Sequence, residues 1–427
     1  MKTAIARVHA RRVFDSRGRP TVEAEVTLAD GARGRAIAPA GASRGSREAV
    51  DLRDGGPAHG GQDVARAIAN IKGPIAAALD GIDATNQVAV DRAMIELDDT
   101  PNKARHGGNA IVAVSLATAH AAAAACDVPL WRYLAGERRV GLPLPEIQIF
   151  GGGAHASRRI DIQDLMVIPL RATSFAGALE VVADVYRAAG TLMEEAGKLA
   201  GVADEGGYWP AFETNEEALT MLVRAIERAG YGPGTDVAIS LDVAASEFGR
   251  NGRYVLARDG RTLDRDAMIE LLLGWLDRYP IASIEDPLAE DDLEGWIAFT
   301  CAAGARVQII GDDFLTTRAS RVSEAASLRA CNAVLIKPNQ AGTLTETRAA
   351  LDAARDAGMA TVISARSGET EDVSIAHLAV GWNAGQLKVG AFARGERTAK
   401  WNECLRIEEA LAEHAFYVGR AALAQPR

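Results

Sequence analysis

The runs AISLD (238–242), ASIED (282–286), QIIGD (308–312), AVLIK (333–337), VISAR (362–366) and GQLK (385–388) decide how this chain is read. Each is a short apolar stretch that delivers one charged residue at or beside its C-terminal end: Asp242, Glu285, Asp312, Lys337, Arg366 and Lys388. Short apolar runs of this kind read as β-strands. Helix-like stretches such as DRDAMIELLLGWLDRY (264–279) separate them. Most of the spacings are roughly 25 residues, the pitch of a β/α barrel unit. Charges at the C-terminal ends of barrel strands project into the mouth, where such folds keep their chemistry. Three acids followed by three bases predict a metal site facing a cationic, anion-binding side.

Upstream of these runs the pattern differs. TVEAEVTLADG (21–31) and RGRAIAPAG (33–41) alternate in strand fashion around an Asp-Gly turn, which predicts a β-meander. Residues 62–135 read as helices, including DVARAIANI and NQVAVDRAMIELDD. The segment GLPLPEIQIF (141–150) is a Pro-containing linker that also starts a strand. A chain of 427 residues exceeds one simple core. The expected fold is therefore an α+β N-terminal domain over 1–138, β-meander plus helices, followed by an α/β TIM-like barrel over 139–427.

With 48% hydrophobic and 24% charged residues, the composition is that of a soluble globular protein. The net charge of −10 argues against nucleic acid as partner, which calls for a basic face. It leaves room for a small anionic substrate, which responds to local charge. Cys126, Cys301, Cys331 and Cys404 lie far apart without CxxC spacing, so neither zinc nor disulfides are expected, and the thiols read as buried in a reducing cytosol. The N-terminus lacks the apolar core of a signal peptide. The Ala-rich stretch 110–126 contains Ser115, Thr118 and His120 and reads as a buried helix, not a membrane span. A cytoplasmic protein without membrane contact is expected.

Three carboxylates on different strands, Asp242, Glu285 and Asp312, offer oxygen-only ligands suited to Mg²⁺ or Mn²⁺. Lys337, held among cations and partly desolvated, is expected to have a lowered pKa and act as a base. Glu205 lies in VADEGGYWP (202–210), where glycines let the backbone carry a carboxyl into the mouth. The adjacent Asp204 tends to raise the proton affinity of one of the pair, as a general acid requires.

Along its length the chain carries DSRGRPTVEAEV (15–26), GASRGSREA (41–49), GGNAIVAVSLA (107–117), DEGGY (204–208), SIEDP (283–287), GDDF (311–314), LIKPNQAGTLTE (335–346) and RSGETED (366–372). In these segments it resembles the enolase family, whose members dehydrate 2-phosphoglycerate to phosphoenolpyruvate with Mg²⁺. The resemblance implies that Asp242, Glu285 and Asp312 hold a first Mg²⁺. Ser43, in a mobile loop, would help hold a second when the lid closes. It implies Lys337 as base and Glu205 as acid. Gln163, Lys388, Arg366 and Ser367 match substrate-binding positions, with Arg366 and Ser367 on the phosphate. His155 matches a histidine on a second closing loop. A homodimer or higher oligomer is implied as well.

Several positions depart from the family pattern. Glycolytic enolases have Asn, Glu and His where Gly151, Asp164 and Ala365 stand here. Ala40 and Arg44 replace the Ser and Thr of the first lid loop. Arg158 and Arg159 follow His155 where small polar residues are usual. Gly151, Ala365, Ala40 and Asp164 remove side-chain volume, while Arg44, Arg158 and Arg159 add positive charge. Both trends suit a substrate larger and more anionic than 2-phosphoglycerate. Asp164, Arg44 and Arg158 are accordingly expected at the substrate. The favoured expectation is a paralogue resembling carboxyphosphonoenolpyruvate synthase of phosphonate-antibiotic biosynthesis, acting on a phosphorylated or phosphonate acid. The alternatives are an ordinary glycolytic enolase, a racemase or cycloisomerase of the superfamily, and a non-catalytic enolase-like binding protein. Racemases and cycloisomerases usually place a second base on the strand before the metal acids, where this chain has DEGGY on a loop. Retention of the ligands, Lys337 and Glu205 argues against the non-catalytic reading.

Overall fold

The computed structural model describes residues 1–424. Three antiparallel strands open the chain: β1 (Ile5–Phe14), β2 (Pro20–Leu28) and β3 (Arg33–Ile37). The expected turn between β2 and β3 is present, with Gly31 at φ +92° and Asp30 accepting from the Ala32 amide. Helix Gly108–Ala125 packs on β2 and β3. Its approach is so close that a Cβ at Gly34 would lie 2.1 Å from the Ala117 carbonyl, so only glycine fits there. The helix is long and apolar enough to cross a membrane, but 83% of it is buried inside the protein.

The second part is a closed eight-stranded barrel. Its strands are β4 (Leu144–Gly151), β5 (Asp164–Pro169), β6 (Val237–Asp242), then, after a small sheet of β7 (Gly249–Arg250), β8 (Arg253–Leu256) and β9 (Arg261–Asp264), β10 (Ile281–Glu285), β11 (Gln308–Gly311), β12 (Ala333–Ile336), β13 (Ala360–Ser364) and β14 (Gly385–Gly390). The small sheet accounts for the wider spacing between the first two charge-bearing runs. All six runs fall on barrel strands.

The barrel departs from a uniform β/α repeat at one strand. β5 is antiparallel to both β4 and β6, and a loop with only a 3-10 turn, Gly153–Ala156, joins it to β4. Asp164, at the start of β5, consequently pairs in register with Asp242, at the end of β6. Both reach the same rim.

At the opposite end, Gln308 donates to the Gln386 side chain at 2.9 Å. The chain returns there, with Gln386 donating to the Ala422 carbonyl and Ala424 N–H donating to Gln308. The N-terminal domain is tied to the barrel near its mouth. Asp91, fully buried, accepts from the Thr345 amide and hydroxyl at 2.8 and 2.6 Å. All four cysteines are free. Cys331 and Cys404 are buried as expected, whereas Cys126 and Cys301 are exposed.

Candidate active site

Asp242, Asp312, Lys337, Arg366, Ser367 and Lys388 line one cavity at the barrel mouth, together with Ser43, Gln163, Asp164, Glu205 and Ala365. Glu285, fully buried, joins them through Lys388. The ammonium of Lys388 donates to Asp242 Oδ2 and Glu285 Oε2, each at 2.8 Å. Lys337 donates to Asp312 Oδ2, and Gln340 donates to Asp312 Oδ1 at 2.8 Å. Gln163 donates to Asp242 Oδ2 at 3.0 Å.

Charge at this rim is unbalanced toward the negative. Asp164, Glu205, Asp242, Glu285, Asp286, Asp312 and Asp313 are all buried, with Lys337, Lys388, His155 and Arg366 as the cations among them, the last already paired with Glu48. Burial and the neighbouring Asp242 push the Glu285 carboxyl well above its ordinary value. Burial, with Asp313 and Asp312 close by, does the same to Asp286. Glu285 Oε1 is buried without a hydrogen-bond partner among the described residues. An unpartnered carboxylate oxygen is costly in a protein interior. A hard divalent cation fits this donor set, because it takes several carboxylate oxygens and offsets their repulsion.

Lys337 departs from expectation in one respect. Burial acts most strongly and lowers its pKa, but Asp312 in contact, together with Glu285, outweighs burial, Arg366 and Lys388, so the pKa is raised. Burial would likewise raise Asp312, yet Lys337 beside it holds that carboxyl below its usual range. Two buried carboxylates, one of them at hydrogen-bond distance, count for more here than two cations across the cavity.

Arg366 lies just beyond β13 and is aimed by the other domain. Its Nη1 and Nη2 donate to Glu48 Oε2 and Oε1 at 2.9 and 3.2 Å, and Nη2 also donates to the Ser43 carbonyl at 2.9 Å. A Cβ at Gly41 would overlap the guanidinium, so glycine is required for this loop to close over Arg366. Ser43 Oγ donates to Asp313 Oδ2 at 3.5 Å.

The second loop brings His155 down between two carboxylates. Nε2 lies 3.2 Å from Asp164 Oδ1 and Nδ1 lies 3.6 Å from Glu205 Oε1. Burial opposes a charged imidazole, but Asp164 and Glu205 outweigh it and raise the pKa to about 9. The Glu205 carbonyl accepts from Ala391 N at 2.8 Å, which fixes that loop against the strand carrying Lys388. In barrel order, β12, which leads into Lys337, stands opposite β5, whose first residue is Asp164, while the Glu205 loop is bonded to β4 and to the end of β14.

The expected lid arginines are not part of this cavity. Arg158 is exposed and pairs with Glu247 at 2.8 Å. Arg44 is exposed and lies 3.7 Å from Asp51. Arg159 stacks on Trp209, 4.6 Å from the ring centre. Each finds a local anion or ring, and long hydrated side chains gain more from that than from burial in the mouth. The expected extra room is also mostly absent. A Cβ at Gly151 would lie 2.7 Å from Ala203 Cβ and 3.3 Å from Gln148 Nε2, so that space is filled. Ala40 is bridged through its backbone to Gly368. Only Ala365 and Asp164 change the lining itself.

Sequence reasoning missed Glu48, Gln148, Asp286, Asp313 and Gln340. Asp286 and Asp313 each directly follow a predicted ligand, so a doubled acid at a strand end was the available signal. Asp286 accepts from the Asp312 and Asp313 amides, both at 2.8 Å, and so orients the loop that presents Asp312.

Residues 5–134 match the family model described as enolase, N-terminal domain. Residues 139–425 match the model described as enolase, C-terminal TIM barrel domain. Over 423 residues the chain is 49% identical to "Enolase 1" of Desulfitobacterium hafniense (strain Y51), covering 98% of this chain and 97% of that protein. These matches span both domains and every element that shapes the mouth: the chain belongs to the enolase family, the Mg²⁺-dependent hydro-lyases.

Proposed function

We propose that this protein dehydrates 2-phosphoglycerate to phosphoenolpyruvate. The observation that carries the reading is that Lys337 and Glu205 line one cavity together with Asp242, Asp312 and Arg366. Lys337 Nζ takes the proton alpha to the substrate carboxylate. Glu205 gives a proton to the departing hydroxyl, which is a poor leaving group as hydroxide. Arg366, Ser367 and the closing Ser43 loop hold the phosphoryl group, which suits the planar fork of arginine. Lys388 and Gln163 orient the carboxylate, and His155 shuts the mouth beside Glu205 and excludes water. Asp242, Glu285 and Asp312 would hold Mg²⁺, with Ser43 beside a second ion, and the metal would supply Lewis-acid charge at the substrate carboxylate.

The 49% identity to a relative named enolase supports this substrate. So does the placement of Arg44 and Arg158 outside the cavity, which leaves the larger, more anionic substrate without its expected cations. A second reading, a 2-phosphoglycerate-like acid with an added group on phosphorus, is favoured by Ala365, a small side chain lining the cavity beside Arg366. Purified protein with Mg²⁺ and 2-phosphoglycerate, followed by ultraviolet absorbance of the enol product, separates them. Turnover above about 10 s⁻¹ is expected. Turnover a hundredfold slower, with faster elimination from a carboxylated phosphonate analogue, establishes the second reading instead.

A further inference from the structure

We infer that Gln148 is a positioning residue of this site, setting the reach of Asp164 and tying it to the loop that carries Glu205. The inference rests on the reaction proposed above. Gln148 is fully buried in β4, and both ends of its amide are committed. Nε2 donates to Asp164 Oδ1, and Oε1 accepts from Gly207 N at 2.7 Å. Gly207 lies two residues beyond Glu205. Its lack of a side chain admits the amide, since a Cβ there would lie 2.5 Å from Gln148 Oε1.

These contacts close a ring. Gln148 holds Asp164, Asp164 Oδ1 lies 3.2 Å from His155 Nε2, and His155 Nδ1 lies 3.6 Å from Glu205 Oε1. The backbone from Glu205 to Gly207 then returns to Gln148. Asp164 Oδ2 also lies 3.6 Å from Lys388 Nζ, so displacement of Asp164 is felt at the metal-ligand side. Asp164 is a short side chain, and the gap to β4 is spanned by the sum of its length and that of Gln148. Taking one methylene from Gln148 opens the ring, and adding one to Asp164 overfills it. Doing both conserves the sum along the Gln148–Asp164 arm, the one that sets the reach of Asp164. An error of about 1 Å in such a constellation costs on the order of 10²-fold in rate.

The test compares wild type, Gln148→Asn, Asp164→Glu and the double variant, each with Mg²⁺ and 2-phosphoglycerate. Each single substitution is expected to lower kcat by about 10- to 100-fold while KM stays within about threefold. The double variant is expected to recover to within about threefold of wild type. Losses that multiply in the double variant, or a Gln148→Asn variant with unchanged kcat, overturn the inference. The NMR titration of the His155 imidazole in the same four proteins reads the ring without turnover. Its midpoint is expected to move by about half a unit or more in each single variant and return in the double. An unmoved midpoint in Gln148→Asn overturns the inference whatever the substrate is. Should wild type fail to turn over 2-phosphoglycerate, the reaction proposed above is wrong, and the four titrations still decide the role of Gln148.

Discussion

Arg366 and Glu48 form a two-point ion pair across the domain boundary, both partners nearly excluded from solvent. The N-terminal domain thereby aims the group proposed above to meet the phosphoryl end of the substrate. Removing one partner of a buried pair leaves the other uncompensated, at a cost of about 3–5 kcal/mol. Glu48→Ala is expected to lower Tm and to raise KM for 2-phosphoglycerate by about tenfold or more. Steady-state kinetics and a thermal melt check both. A KM equal to that of wild type would show that Arg366 needs no support from the other domain.

Lys337→Ala is expected to abolish exchange of the substrate alpha proton with deuterated solvent, followed by NMR. Its Mg²⁺ affinity should match or exceed that of wild type, because Asp312 is freed from its ammonium partner. Calorimetry measures the second quantity. Exchange persisting at the wild-type rate removes Lys337 from the base role.

Glu285 holds Lys388 through one oxygen and leaves the other without a hydrogen-bond partner among the described residues. Glu285→Gln keeps the shape and removes the charge. Mg²⁺ binding is expected to weaken by about 100-fold, about 2.7 kcal/mol. Calorimetry showing undiminished affinity would place the ion elsewhere.

His155 carries a pH signature. Its pKa rises from 6.5 to about 9 in the folded protein, because Asp164 and Glu205 outweigh burial. A group raised in this way contributes stability that is fully present below the unfolded value and is lost as pH rises through the folded one. The Tm difference between wild type and His155→Asn should be largest below about pH 6.5 and fall away toward about pH 9. A difference constant across that interval would mean that His155 is not titrating there.

Arg158→Ala should change KM for 2-phosphoglycerate by no more than about twofold, since an exposed ion pair to Glu247 contributes little. A large loss would bring that loop, with its arginine, onto the substrate.

Much of this was legible before any coordinates. The charged residues Asp242, Glu285, Asp312, Lys337 and Lys388 lie in or just past strands that their apolar runs mark, and the C-terminal-end rule of barrels gathers them. The reversal of β5 was not legible, because an apolar run such as LMVIP reads the same whichever way the strand points. Glu48 was hidden by distance, since its partner is 318 positions away. The pKa direction of Lys337 was misread because spacing along the chain does not say which charge is in contact. Gly151 looked like vacant space, and only packing shows Ala203 and Gln148 occupying it. Arg44 and Arg158 looked like substrate groups because a local anion on a neighbouring loop cannot be seen from composition.

The hairpin from β4 to β5 has a mechanical consequence. Because β5 runs backwards, the stretch between the two strands starts and finishes above the opening, and no outer helix is threaded through it. Its two ends are anchored on neighbouring staves of the barrel, so its length can vary without disturbing the surrounding helical layer. Since Asp164 is the first residue past that anchor, a change in this stretch is transmitted directly to a group inside the vessel it covers.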